Sequence, residues 1–243
     1  MYYSRILQVC IDALFPPQCA ACKKKLSSEN RFRTICDECF SLISLRTGCV
    51  CTACGNRIPE VFGHCKCVES LTLAAAASFE CYVTQSLIRI LKYNRVREAS
   101  IPLGVLLSHH LTLSANPLLS LSESILLLPI PLHIKKERAR GFNQSSLIAQ
   151  ALLHTLPTHH ISIHTNILLR NKNTPSQTTQ PNHQARKKNM INAFTLSNPE
   201  KIKGKVILLL DDVSTSGATL YAAARCIKTA RPKRIIGLAI AKA

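Results

Sequence analysis

The chain has 243 residues, enough for one moderate domain and a small one, and 47% of them are apolar, which suffices for a packed core. Lysine and arginine total 31 against 13 acids, a formal charge of +18, which favours a polyanionic or phosphorylated partner. No apolar run approaches the ~20 residues of a membrane span.

The first stretch contains Asp12, has no cleavage-like end and runs straight into cysteines, so it does not read as a secretory leader. A cytoplasmic protein is expected, with the inner face of the membrane as the alternative location. Apolar residues at Ile6, Leu7, Cys10, Ile11 and Leu14 predict a helix over 3–14, stopped by Pro16 and Pro17. A cysteine module follows. Cys19-x-x-Cys22 precedes Cys36-x-x-Cys39, and Cys51-x-x-Cys54 precedes Cys65-x-Cys67. Each turn places two sulfurs on one side of a knuckle, and two turns close a tetrahedral zinc site. One or two structural zinc ions are expected, because close pairing in a reducing compartment points to metal and not to disulfides. The pairing stays open: neighbouring turns can join, or Cys19/Cys22 can combine with Cys51/Cys54. Cys49 and His64 lie close enough in sequence to replace a ligand. Cys10, Cys81 and Cys226 read as small buried hydrophobes. Two occupied zinc sites would lower the net charge to roughly +14.

From Leu71 the composition turns to Ala, Leu and Ile, which divides the chain into residues 1–70, with the helix and zinc module, and residues 71–243. A strand is predicted over 73–83 and a helix over 84–93, with Leu87, Ile88 and Leu91 on one side and Lys92 near its end. A helix over 98–113, a loop over 114–122 and a strand over 124–128 follow. Pro129 and Pro131 prevent that strand from continuing. The next stretch, PIPLHIKKERARGFNQS, reads as a shaped loop. Its Lys135, Lys136, Arg138 and Arg140 suit a pyrophosphate or a nucleic-acid backbone. A helix over 145–156 leads to a histidine-rich patch, 154–164, whose histidines read as solvated. After a strand over 161–169, residues 170–190 are polar, basic and proline-punctuated. They are too long for an ordinary connector and suit a lid or a binding segment. A short strand over 193–196, a helix over 218–231 and a strand over 235–241 complete the order.

The most informative stretch is VILLLDDVSTSGATL, residues 206–220. Five apolar residues predict a strand buried on both faces, ending at Asp211 and Asp212. A strand feeding through a tight turn into a helix puts that turn at the carboxyl edge of a sheet, where open α/β folds bind ligands. Thr215, Ser216, Gly217, Ala218 and Thr219 would offer backbone N–H groups and hydroxyls at a helix N-terminus, an anion site suited to a phosphate monoester. The two aspartates repel phosphate. They suit a sugar diol or a divalent cation. Together these describe a phosphoribosyl group.

This run resembles the phosphoribosyl pyrophosphate loop of type I phosphoribosyltransferases. The wider set covers nearly the whole chain: a multi-cysteine module, a KY segment, PxPLH…RxRGFNQS, RxxxTxxQ…RxxNxxxAF and DDVSTSGAT. In that order it resembles the ComF family of competence proteins. The resemblance implies a type I phosphoribosyltransferase core, a parallel sheet flanked by helices, with an N-terminal zinc module. It places Asp211 and Asp212 at the ribose hydroxyls or Mg²⁺, and residues 215–219 at the 5-phosphate. Pro131, Leu132 and His133 match the pyrophosphate loop, with Arg138, Arg140, Asn143 and Gln144 beyond it. Arg170, Thr174, Gln177, Arg186 and Asn189 match a mobile loop. Two departures stand out: the last knuckle is Cys-x-Cys, and residues 178–183 are unusually polar. The implied function is handling of single-stranded DNA during uptake, with a pocket for phosphoribosyl pyrophosphate or ribose phosphate and possible contact with other uptake proteins. The alternatives are an active transferase of unknown acceptor and a zinc-stapled scaffold.

Overall fold

A computed structural model describes residues 16–27, 29–58, 63, 65–67, 70–114, 123–156, 160–173 and 192–243. The helix expected over 3–14, most of the 114–122 loop, Cys10, His64, and Gln177 and Arg186 of the long basic segment lie outside the described residues.

Seven strands form one sheet in the order β2-β1-β3-β9-β8-β4-β5. Its centre is parallel: β3 (Thr72–Ser78), β9 (Arg234–Lys242), β8 (Val206–Ser214), β4 (Ile125–Pro129) and β5 (Ile161–Ile163) all run the same way. Strands β1 (Cys49–Cys51) and β2 (Arg57–Ile58), from the cysteine module, add antiparallel at the β3 edge. The sheet therefore runs on across the composition change at Leu71.

The parallel strands are apolar on both faces, as burial under two layers requires. In β8, Val206, Leu208 and Leu210 enter one core, and Ile207 and Leu209 enter the other. Helices α2 (Tyr82–Tyr93), α3 (Ser100–Ser114) and α5 (Gln144–Thr155) cover the first face. Buried cysteines and Ile35 of the module join that same core. On the other face lie α6 (Ala218–Lys228) and a two-stranded sheet of β6 (Leu168–Arg170) and β7 (Phe194–Leu196). A short helix, α1 (Asp37–Ser41), follows Cys36 in the module.

Four expectations are corrected. The strand expected over 73–83 stops at Ser78, whose Oγ accepts the Glu80 N–H at 3.2 Å, and a helix begins at Tyr82. The single strand expected over 161–169 is two strands in two sheets, because His164, Thr165 and Asn166 turn the chain between them. The basic loop contains a helix, α4 (Ile134–Arg140). The His133 ring caps its start by accepting the Lys135 N–H, and Gly141 ends it at φ 85°, a left-handed conformation glycine adopts freely. Strand β8 does not stop before the acids. It runs to Ser214, because β9 continues beside it as far as Lys242.

Candidate functional site

The carboxyl ends of the strands surround a cleft of about 360 Å³. Beyond Pro129, β4 no longer pairs with β8, and the last turn of β8 has β9 alone as a ladder partner. The acids fill that gap themselves. Asp211 Oδ1 accepts the Asp212 N–H at 2.9 Å, and Asp212 Oδ1 accepts the Val213 N–H at 2.8 Å. Both aspartates line the cleft, as do Thr215 and Thr219. Asp212 is buried, and its Oδ2 lies 2.7 Å from Lys92 Nζ on α2.

Burial draws the Lys92 ammonium down, but the Asp212 charge and hydrogen bond, with Asp211 behind them, outweigh it and hold it above the ordinary lysine range. Burial and then the Asp212 charge push the Asp211 carboxyl up to about 7, against the pull of Lys92 and Arg170. Two carboxylates this close repel, and a bound cation or a hydroxyl donor would relieve the repulsion. This is the observation that fits the pair to Mg²⁺ or to a ribose diol.

A group of cations shares the cleft with the acids. Lys136 and Arg140 of α4 and Arg170 at the end of β6 line the same cleft. Burial lowers Lys136, and repulsion from Arg170 and Arg140 lowers it further. Burial also lowers Arg170, with Asp211 pulling the other way, and its guanidinium lies 5.6 Å from the Phe194 ring centre. Arg140 Nη1 donates to Gln144 Oε1, and Gln144 and Leu132 complete this wall.

The turn at residues 215–217 leads into α6, with Gly217 at its N-cap at φ 70°. Ser216 Oγ accepts the Ala218 N–H at 3.4 Å, and Lys242 Nζ donates to the Thr215 carbonyl at 2.7 Å. Nine of the expected residues therefore line one cleft: Leu132, Lys136, Arg140, Gln144, Arg170, Asp211, Asp212, Thr215 and Thr219. Asn143 is spent on backbone, with Oδ1 capping α5 at Ser145 N–H and Nδ2 donating to the Ile130 carbonyl. His133 caps α4, Arg138 is exposed on it, and Pro131 leads into it. Phe142 is buried, with Arg97 5.2 Å from its ring centre, whereas Tyr93 is 67% exposed.

Sequence reasoning noted Lys92 but did not join it to Asp212, and it missed Arg95 and Arg97. These two arginines donate to the carbonyls of Ala139 and Gly141 at 2.7 and 3.1 Å, holding the end of the basic helix.

The cysteines form two groups among the described residues, Cys19, Cys22, Cys36 and Cys39, and Cys51, Cys54, Cys65 and Cys67. Within each group the sulfurs lie within 4.8 Å of one another. Neighbouring turns thus join, and Cys49 stands outside both groups. Sulfurs of a tetrahedral Zn–S₄ centre would sit ~3.8 Å apart, from Zn–S bonds of about 2.3 Å. The observed separations fit: Cys22–Cys36 is 3.8 Å, Cys54–Cys65 is 3.7 Å and Cys65–Cys67 is 3.5 Å. The Cys-x-Cys turn closes its group as well as the Cys-x-x-Cys turns do. Backbone donors favour thiolate at one sulfur of each group, Cys19 and Cys51, whereas burial pushes Cys36 and Cys39 up and the neighbouring thiols push Cys67 up. Burial pushes Cys19 up, but the N–H groups of Cys36, Cys22 and Ala21 outweigh it and bring it to about 6. Cys51, likewise opposed by burial, is brought to about 7 by the N–H groups of Cys54 and Ala53. Either group could hold a metal ion.

A parallel α/β sheet with acids, a hydroxyl-lined turn and cations around one carboxyl-edge cleft defines a phosphoribosyltransferase-type domain. The family described as the phosphoribosyl transferase domain matches residues 143–242. Competence protein ComFC of Bacillus subtilis is 27% identical over 227 residues, 86% of this chain and 88% of that protein. DNA utilization protein YhgH of Escherichia coli (strain K12) is 29% identical over 178 residues, 70% of this chain and 74% of that protein. Competence protein F of Haemophilus influenzae is 34% identical over 103 residues, 42% of each chain. Among solved structures, a hypoxanthine phosphoribosyltransferase from Trypanosoma cruzi is 12% identical with a TM-score of 0.33, covering 60% of this chain and 66% of that one. Homologues named as competence and DNA utilization proteins, together with the matched phosphoribosyl transferase domain, support a protein of the ComF type.

Proposed function

We propose that this protein acts in the uptake or use of DNA, binding single-stranded DNA and holding a phosphoribosyl group in the cleft. The names of its relatives, competence and DNA utilization proteins, support the setting. The observation that carries the pocket reading is the gathering of acids, hydroxyls and cations around one cleft of about 360 Å³. Thr215 and Thr219 with the N-terminus of α6 would take the 5-phosphate. Asp211 would accept hydrogen bonds from the ribose hydroxyls, with Asp212 oriented behind it by Lys92. Lys136, Arg140 and Arg170 would take a pyrophosphate or a nucleic-acid phosphate. Mg²⁺, when bound with phosphoribosyl pyrophosphate, would neutralise charge on the phosphates. The two cysteine groups would hold structural zinc.

The cation group also supports a second reading, an active transferase. Charge that develops on departing pyrophosphate needs fixed cations, and these three residues line the same cleft as the acids. The acceptor in that reading is unassigned. Pyrophosphate release on offering nucleobases would distinguish it from a binding site.

Thermal shift and calorimetric titration with ribose 5-phosphate, and with phosphoribosyl pyrophosphate and Mg²⁺, test the pocket. Both ligands should stabilise the wild type. Changing Ser216→Ala and Thr219→Ala together should abolish that stabilisation, and stabilisation that persists places the anion elsewhere.

A further inference from the structure

The turn that carries Gly217 touches the cysteine module. A Cβ built on Gly217 would lie 2.6 Å from Thr52 Cβ, closer than side-chain atoms can pack, and a tight 3.1 Å from Thr52 Cγ2. Glycine at 217 is therefore required twice, once by its φ of 70° and once by Thr52. Thr52 is itself fixed. Its N–H donates to the Leu71 carbonyl at 3.0 Å, and its Oγ1 accepts the Leu71 N–H at 2.9 Å. It is buried and sits inside the second knuckle, between Cys51 and Cys54, so its position is set by the turn those sulfurs close.

We propose that Thr52 is a positioning residue for the 215–219 turn, so that a metal ion held by Cys51, Cys54, Cys65 and Cys67 sets the affinity of that turn for a phosphate monoester. This rests on the reading of residues 215–219 as the phosphate site. The reasoning is steric. A turn that must present N–H groups to an anion loses affinity when its backbone gains freedom, because binding must then supply the ordering. Gly217 has no side chain to restrain it, and Thr52 supplies the wall it rests on. The first cysteine group has a different neighbour: the Ala21 carbonyl accepts from Tyr82 Oη of α2 at 3.4 Å. The two metal groups should therefore differ in their effect on the cleft.

The test compares ribose 5-phosphate affinity by calorimetry with metal content by elemental analysis, on the full chain. Cys22→Ser and Cys54→Ser each alter an exposed ligand, one in each group. Both should lose one metal per chain. Cys54→Ser should weaken ribose 5-phosphate about tenfold, and Cys22→Ser should leave it within about threefold. Thr52→Gly should keep both metals and weaken ribose 5-phosphate by a similar factor, while Thr52→Ser, which keeps Cβ and the hydroxyl, restores most of it. Equal losses in the two cysteine variants, or unchanged affinity in both Cys54→Ser and Thr52→Gly, would overturn the proposal. A wild type that binds no ribose 5-phosphate would instead remove the phosphate-site reading, and this proposal with it.

Discussion

Lys92 Nζ and Asp212 Oδ2 lie 2.7 Å apart, and that ion pair ties α2 to the carboxyl end of β8 beside the cleft. Their side chains are 20% and 5% exposed, so neither charge has ready access to water. Removing one partner of such a pair leaves the other uncompensated, at a cost of about 3–5 kcal/mol. Lys92→Met should lower stability by about that amount in urea unfolding at neutral pH. Adding Asp212→Asn should recover part of the loss, since the stranded charge is then gone. A loss under ~1 kcal/mol would mean that solvent reaches the pair as it reaches a surface one.

Asp211 gives a pH signature. Its folded-state carboxyl is pushed up to about 7 from an ordinary 3.8 by burial and by Asp212. A raised carboxyl favours folding while it is protonated, so its contribution is full below about pH 4 and is lost as pH rises through about 7. Asp211→Asn, neutral throughout, should melt close to the wild type below about pH 4, pull ahead as pH rises from about 4 to about 7, and melt several degrees above it at about pH 8. Mg²⁺ should narrow the gap at the higher pH by stabilising the wild type alone. A difference that stays flat with pH would show that Asp211 titrates as an ordinary exposed acid.

The apolar runs of β4 and β8 were legible because a strand buried on both faces needs nothing but apolar side chains. The turn after β8 was legible through its hydroxyls and glycine. The length of β8 was not, since its last four residues stay extended only because β9, some 28 positions later in register, runs beside them. Helix α4 was hidden by its composition: four cations read as a loop, and the caps that make it a helix are an imidazole and a left-handed glycine. Lys92 was visible as a polar residue near a helix end, but no local pattern names a partner on a strand so far along the chain. The spacing of the cysteines pointed to one or two sites and left their pairing open, because pairing depends on how the turns stack.

Metal removal should act on the core as well as on the cysteines. Cys36 is 2% exposed and belongs to the same apolar core as Leu87 and Ile148. Elemental analysis of purified protein should find two zinc per chain. Cys36→Ser should reduce this to one and lower the melting temperature and soluble yield together, since structural zinc contributes directly to folding. Metal-free protein with an unchanged melting curve would refute the structural role.

The basic surface should bind single-stranded DNA through charge, with little dependence on sequence. Lys135 and Arg138 are exposed on α4, Lys136 and Arg140 turn toward the cleft, and Arg95 and Arg97 hold the far end of that helix. Base stacking has little to work with here, because Phe142 is buried and Tyr93 is the exposed ring of the cleft. Affinity should then come mainly from counterion release. The slope of log affinity against log salt should be roughly −3 to −4, about five neutralised phosphates at ~0.7 each on a single strand. Arg138→Ala with Arg140→Ala should flatten it by about one unit and weaken all sequences alike. Arg138 is free of the cleft and Arg140 lines it, so the single changes divide the track. Arg140→Ala should weaken both DNA and phosphoribosyl pyrophosphate, whereas Arg138→Ala should weaken DNA alone. Phosphoribosyl pyrophosphate should compete with DNA where the two share Lys136 and Arg140, and an absence of competition would separate the DNA path from the cleft. Salt-independent or strongly base-selective binding would defeat the electrostatic account, because phosphates carry no sequence information.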